Sequence, residues 1–270
     1  SPSQTLLPAG RTATAIASGA FHTCAVLDDN SMVCWGDNNN GKLGDGSTTD
    51  RASPTYVSSA LQFSSVAAGV EHTCSITTDN ELFCWGLDSN EQLGNQYKGN
   101  WAHSSPTLVN LPAARDAMGV IAGSEHTCAI LDDESMYCWG DDDHNSLNTE
   151  YNCGSSDSTN GCYNGHRDTP APAIPPSGRS IVAAFAGALH TCVLIDNGGM
   201  YCFGSNGLGQ LGNGSNFGNG PSFVDFPVAV SLTTSDRDSD HDGVFNNGDR
   251  CMDGATGWTS NSSTDNDFDG

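Results

Sequence analysis

Short apolar runs alternate with polar turns along the whole chain. His-Thr-Cys-Ala-Val-Leu (22–27) and Ser-Met-Val-Cys-Trp-Gly (31–36) are separated by Asp28-Asp29-Asn30. Runs of this length, rich in β-branched and aromatic residues and bounded by turn formers, predict two strands joined by a tight turn. A shorter apolar run ending in glycine precedes such a pair, as in Ser65–Gly69. Ser-Pro-Thr-Tyr-Val (53–57) follows the first pair as a fourth strand, with Pro54 near its start, where no ladder bond is lost. The turns and β-branched residues leave no room for the helices of a helical solenoid.

The four-strand unit recurs without gaps. Residues 17–46, 67–96, 121–150 and 185–214 align position for position. Their first cysteines stand at 24, 74, 128 and 192, a period of roughly fifty residues, in the range of propeller blades. Four-stranded sheets in tandem make a β-propeller, so the predicted fold is all-β with four blade units over residues 1–232. Leu7-Pro8-Ala9-Gly10-Arg11 aligns with Leu111-Pro112-Ala113-Ala114-Arg115, which places Ser1–Leu7 over a blade-closing strand. Pro221–Val228 supplies another such strand after the fourth unit. Four sets of three strands would then carry five closing strands, and the surplus would pair with further blades or with another molecule.

These units resemble the repeats of the regulator of chromosome condensation family. The shared elements are Ala68-Gly69, His72-Thr73, Trp85-Gly86 and Gln92-Leu93-Gly94, with Gln210-Leu211-Gly212-Asn213-Gly214 in the fourth unit. The resemblance spans roughly residues 1–230 and departs from the family in its cysteine pairs and in having four units where seven blades are usual. It implies a propeller fold and a binding scaffold. The action of the best-known member on a small GTPase at chromatin is not carried over, because this chain is acidic and cysteine-rich.

Four cysteine pairs stand ten residues apart around a turn: Cys24 and Cys34, Cys74 and Cys84, Cys128 and Cys138, Cys192 and Cys202. Equal distance from a hairpin turn puts two residues opposite one another, within disulfide range. Zinc is the rival reading, but each unit offers two cysteines, one histidine and no fourth ligand. A further bridge between Cys153 and Cys162 is expected inside an insertion at Glu150–Asp168, and Cys251 is left over. Eleven cysteines at regular spacing fit an oxidising compartment, so a secreted or cell-surface protein is expected.

The formal net charge is −23, and Lys42 and Lys98 are the only lysines. Such a surface repels phosphate backbones, which argues against nucleic acid as a partner. The longest apolar stretch, Ile181 to Leu189, is too short to span a bilayer, so no membrane insertion is expected.

Beyond Leu232 the composition turns acidic, and residues 233–270 form a separate segment. Counting from Asp238, carboxylates fall at the first, third and fifth positions (Asp238, Asp240, Asp242), Gly243 at the sixth and Asp249 at the twelfth. Hard oxygens on alternate residues, a glycine for the sharp bend and a closing carboxylate are the spacing of a calcium loop. Val244 would add its backbone carbonyl and Asn246 a direct or water-mediated contact. The run through Cys251 looks like a thrombospondin type 3 repeat, and Asp265, Asp267 and Asp269 begin the pattern again. Calcium is therefore the expected cofactor.

His22, His72, His126 and His190 occupy one position in four units, which predicts a structural hydrogen bond to a neighbouring strand or blade. Trp35, Trp85, Trp139 and Phe203 likewise predict packing between blades. Asp141-Asp142-Asp143-His144 reads as a solvated turn. No nucleophile–base pair or phosphate-binding loop appears, so no catalytic residue is assigned and the chain is expected not to be an enzyme. The expected function is an extracellular binding or adhesion module for a protein or glycan. The alternative is a structural subunit that joins copies of itself through terminal strand edges into a filament or surface layer.

Overall fold

A computed structural model describes residues 4–96, 102–112, 115–142, 144–149, 162–163, 166–173, 179–214 and 223–229. They form four antiparallel sheets. Blade 1 runs β1 (Ala13–Ser18), β2 (His22–Leu27), β3 (Met32–Gly36), β4 (Arg51–Tyr56). Blade 2 runs β5 (Ala67–Ala68), β6 (His72–Ile76), β7 (Leu82–Leu87), β8 (Ala102–Leu108). Blade 3 has β9 (Ala117–Ala122), β10 (His126–Leu131), β11 (Met136–Asp141), then β13 (His166–Pro172), with β12 (Cys162–Tyr163) added outside it. Blade 4 runs β14 (Ile181–Ala186), β15 (His190–Ile195), β16 (Met200–Ser205), β17 (Phe223–Ala229). The first strands β1, β5, β9 and β14 touch in succession and form the inner wall. This is the predicted four-blade all-β propeller.

The four cysteine pairs are bridged as expected. Cys24 is joined to Cys34, Cys74 to Cys84, Cys128 to Cys138 and Cys192 to Cys202, each with Cα atoms 4.1 Å apart. The register explains them, because in every blade the two cysteines lie directly opposite one another on the second and third strands. Cys24 faces Cys34 and Cys74 faces Cys84; Cys128 faces Cys138 and Cys192 faces Cys202. The turn between them closes through a residue at positive φ (Asn30, Asn80, Glu134 or Gly198), the geometry that lets a tight hairpin match strand twist. None of these eight cysteines is left as a zinc ligand. Cys153 lies outside the described residues, so its expected bridge to Cys162 does too. The whole segment 233–270, with its predicted calcium ligands and Cys251, also lies outside them.

The glycine that follows each tryptophan, or Phe203 in blade 4, sits at a bulge. Gly86 has φ +106°, and a Cβ there would stand 2.4 Å from the carbonyl oxygen of Glu71. The ladder shifts register at this point in every blade, and the next residue's N–H returns to that same carbonyl.

The cores lie between sheets rather than within them. Cys24, Val26, Met32 and Cys34 of blade 1 pack against Phe63 and Trp85 of the next unit. Cys74, Ile76, Leu82 and Cys84 pack against Ala129, Leu131 and Trp139. Cys128, Met136, Cys138 and Leu147 of blade 3 pack against Ile181, Val193, Ile195 and Phe203 of blade 4. The first three bridges are thus part of the interblade cores. The fourth has no such core, because no blade follows it among the described residues, although Cys202 is still only 2% exposed. Each blade depends on its neighbour for burial, because a lone sheet has no second layer to cover its apolar face.

Two expectations are corrected. Gln4–Leu7 forms no strand; among the described residues no sheet lies beside it to accept its backbone bonds, and Leu7 instead packs on the cluster of Ala25, Leu27 and Val33. Within the insertion, Cys162–Tyr163 pairs with the fourth strand, His166–Pro172, and widens blade 3 to five strands. Asp141 and Asp142 are buried at 5% and 4% exposure, so they do not belong to a solvated turn. Asp142 Oδ1 accepts the Leu147 N–H, and Asp141 faces the His166 ring at 3.2 Å.

Candidate binding surface

The recurring polar residues join blades. His22 Nε2 meets Thr73 Oγ1 of the next blade at 2.8 Å, His72 meets Thr127 at 2.9 Å, and His126 meets Thr191 at 3.0 Å. Each threonine hydroxyl donates back to a carbonyl of the preceding blade: Thr73 to Lys42, Thr127 to Gln92, Thr191 to Ser146. With its proton committed, the hydroxyl can only accept from histidine, which places the imidazole proton on Nε2. Trp85 and Trp139 donate Nε1–H to the same carbonyls, Lys42 and Gln92, at 3.0 Å. Both lone pairs of each such carbonyl are then used.

Burial holds these rings neutral. It pushes His22 down to about 4, aided by the Lys42 charge, His72 down to about 3 and His126 down to about 4. The glycine three residues earlier permits the arrangement. A Cβ on Gly69 would meet the His72 ring at 2.4 Å and the Gly123 carbonyl of the next blade at 2.5 Å. The Ala-Gly-x-x-His-Thr signature is thus one steric and hydrogen-bonding unit.

Lys42 is fully buried and pairs with Asp37 of its own loop and with Glu71 of blade 2, the latter at 2.7 Å. Asn40 Nδ2 also donates to Glu71, at 2.8 Å, which ties the rim of blade 1 to blade 2. Asn90 and Glu125 repeat that contact between blades 2 and 3, at 2.5 Å.

Among the described residues, a cup and a cleft are open to solvent. At the hub, Ser18–Ala20, Ala68–Val70, Ala122–Ser124 and Ala186–Ala188 converge on a cup of about 280 Å³ walled by backbone and small side chains. The second is an apolar cleft of about 310 Å³ between β9 and β14. Met118, Val182 and Phe185 on its walls are 63%, 60% and 66% exposed. Contiguous exposed apolar surface of this kind marks an interaction site. Sequence reasoning missed the cleft, because Met118 and Phe185 sit in runs that read as ordinary strands. Their outward position depends on the register of β9 and β14. Among the described residues no cluster of His, Cys, Asp or Glu has metal-binding geometry. Among them, too, no helix is long and apolar enough to cross a membrane.

The sequence signature of the regulator of chromosome condensation (RCC1) repeat matches residues 13–42, 63–92, 120–146 and 181–210, and a second signature of that description matches 29–76 and 79–130. The human E3 ubiquitin-protein ligase HERC2 is 24% identical over 206 residues, covering 74% of this chain and 4% of that protein. The zebrafish (Danio rerio) serine/threonine-protein kinase Nek8 is 26% identical over 205 residues, covering 75% of this chain and 29% of the kinase. The chain therefore spans a small part of these relatives. Among solved structures, yeast RCC1 (Prp20), crystallised with Kap60, superposes with a TM-score of 0.72 at 18% identity, covering 86% of this chain and 52% of that one. Human WBSCR16 gives 0.70 at 18% identity, covering 84% and 55%.

Proposed function

Because this chain belongs to the regulator of chromosome condensation (RCC1) repeat family, we propose that it is a non-catalytic binding module whose propeller presents a contact surface to another macromolecule. The observation that carries this reading is the use of His22, His72 and His126, with their threonine partners, in joining blades. A residue committed to three equivalent junctions is building the scaffold. What the scaffold leaves accessible is the apolar cleft between β9 and β14, suited to a protein or glycan surface. The ligase and kinase names of HERC2 and Nek8 bring no activity with them, since the chain aligns with 4% and 29% of those proteins. Yeast RCC1 was crystallised with a protein partner, which supports a protein ligand here.

In this reading the protein acts outside the cell, as an adhesion module. Four disulfides hold its blades, and Asp238, Asp240, Asp242, Val244, Asn246 and Asp249 hold calcium in the acidic segment, with Asp265, Asp267 and Asp269 starting a second loop. The test is capture of extracellular matrix proteins and glycans by the calcium-loaded chain on beads. Phe185→Asp should weaken capture about tenfold or more, since a charge in an apolar contact is desolvated without a partner. Equal capture by this variant would overturn the cleft assignment. Chelation should make residues 236–270 protease-sensitive while the bridged blades survive; equal protection with and without calcium would overturn the calcium reading.

A further inference from the structure

The blades differ from one another along their first strands. The residue paired with the first cysteine is Ala17 in blade 1, Ala67 in blade 2, Ile121 in blade 3 and Phe185 in blade 4. Three residues earlier stand Thr14, Ser64, Met118 and Val182. Alanine, threonine and serine thus satisfy the fold at both positions, yet blades 3 and 4 carry large apolar side chains there. Met118, Val182 and Phe185 are mostly exposed, so the core does not account for them. Gly119 is a further departure, because Ala15, Ser65 and Ala183 hold its position elsewhere. Its φ is not positive, and a Cβ there would come no closer than 3.7 Å to Ile130, so nothing in the fold requires a glycine. What the glycine leaves is room above Ile130, inside the cleft between β9 and β14.

The chemistry of the walls selects the occupant. No side chain lining the cleft carries an N–H or O–H. A glycan there would give up water from its hydroxyls and gain no side-chain partner. The hydrogen-bonding groups that remain are main-chain. Blade 3 lines the cleft from β9 back to Cys128 and Ile130 of β10, and so offers a face. Blade 4 contributes four consecutive residues of β14, 182–185, and none of β15. Successive residues of a strand point to opposite faces, so a lining of this kind follows the edge of β14, about 10 Å of it. That edge is open, because among the described residues β14 ends its sheet and pairs only with β15. An extended peptide meets both conditions: its main chain bonds to an open edge while its side chains fill apolar space. The mouth adds a charge. Asp132 and Asp133 pair with Arg115, and Asp196 pairs with Arg179. Asp116, two residues before Met118, is exposed and makes no ion pair among the described residues.

We propose, resting on the cleft assigned above, that its ligand is an extended segment of a partner protein, with apolar side chains and a lysine or arginine beside them. The segment adds to β14 as a further strand. Its apolar side chains settle over Gly119 and Ile130 between Met118 and Phe185, and its cation meets Asp116. Both walls belong to an internal junction, so blades 3 and 4 supply the whole site.

The test is selection of a random heptapeptide library, displayed on phage, against the full chain. Enriched peptides should combine apolar residues at alternate positions with a lysine or arginine. A synthetic peptide of the enriched sequence, followed by fluorescence anisotropy, should bind Gly119→Val about tenfold more weakly or worse. Thermal unfolding of that variant should not be lowered, since valine suits a strand and the position is open. Asp116→Lys, a change at an exposed side chain, should weaken the same peptide about tenfold and favour a version with glutamate in place of the cation. In an antiparallel pair alternate residues bond across the ladder, so N-methylation of one alternate set of peptide amides should abolish binding and methylation of the other set should leave it. Failure to enrich any peptide, enrichment of peptides without a cation, or binding unmoved by both Gly119→Val and Asp116→Lys overturns the proposal. If Phe185→Asp loses capture of matrix glycans while no peptide is enriched, the cleft assignment stands and the peptide proposal falls.

Discussion

Asn38 of blade 1 shows what its position in the repeat requires. Its Oδ1 accepts the Leu43 N–H while its Nδ2 donates to the carbonyls of Ser47 and Thr49, pinning the loop from inside. Asn206 does the same for Leu211 and Asn213 in blade 4. Blade 2 carries Asp88 there. Its Oδ1 still accepts, from Leu93, but a carboxylate has no donor, and Oδ2 is buried without a hydrogen bond of normal geometry. Burial, reinforced by the nearby Glu91 charge, raises its pKa to about 7, against the opposing pull of the Leu93 N–H and of Asn95. The group is therefore neutral in the folded chain, and charged in the unfolded one, from about pH 4 to about pH 7. Its penalty on folding grows through that window and then levels off. Asp88→Asn restores the missing donor. It should stabilise the protein by roughly 1–3 kcal/mol near pH 8 and leave it nearly unchanged near pH 4. Urea unfolding at the two pH values measures this, and equal shifts at both would show that the charge plays no part.

At the scale of the blade, the hairpin between the second and third strands is the rigid element, and the sequence announced it fully. Cysteines equidistant from a turn imply the register that His22↔Gly36 and Cys24↔Cys34 display, and Cys128↔Cys138 and Cys192↔Cys202 keep it in the later blades. The partners of the histidines were legible only as a class, since nothing local says that His22 reaches a threonine 51 residues away. Placement of the cores between sheets was likewise hidden: alternation marks two faces of a strand without saying what covers each. The extra β12–β13 ladder lay in a polar insertion whose strands have no apolar period to announce them. Trp85, Trp139 and Phe203 provide a natural comparison, because phenylalanine fills the ring pocket without an N–H. Trp139→Phe should cost roughly 1 kcal/mol through loss of the bond to Gln92. Trp35→Phe, whose indole meets no preceding blade among the described residues, should cost the monomer much less. Denaturant midpoints of the two variants give the comparison.

Across the whole molecule the histidines act together. His22, His72 and His126 have folded pKa values of about 4, 3 and 4 against an ordinary value of 6.5. Their neutral form costs nothing above pH 6.5; as pH falls below it, the unfolded chain takes up protons that the folded chain refuses, and stability declines until the folded values are reached. Protonation of surface carboxylates, which relieves the repulsion of the acidic surface, sets in mainly below about pH 4.5. Between those limits the histidines dominate, so the melting temperature should fall steadily from pH 6.5 to about 4.5. His72→Gln should flatten that slope even though it is itself less stable, and an unchanged slope would contradict the assignment. The cysteine bridges have a mechanical consequence. Traction along the chain crosses each blade through sulfur and bypasses the ten-residue span between the cysteines, about 30 Å of extensible length per blade. Under load each blade keeps its central hairpin closed, and only the strands on either side of that hairpin can peel away and lengthen.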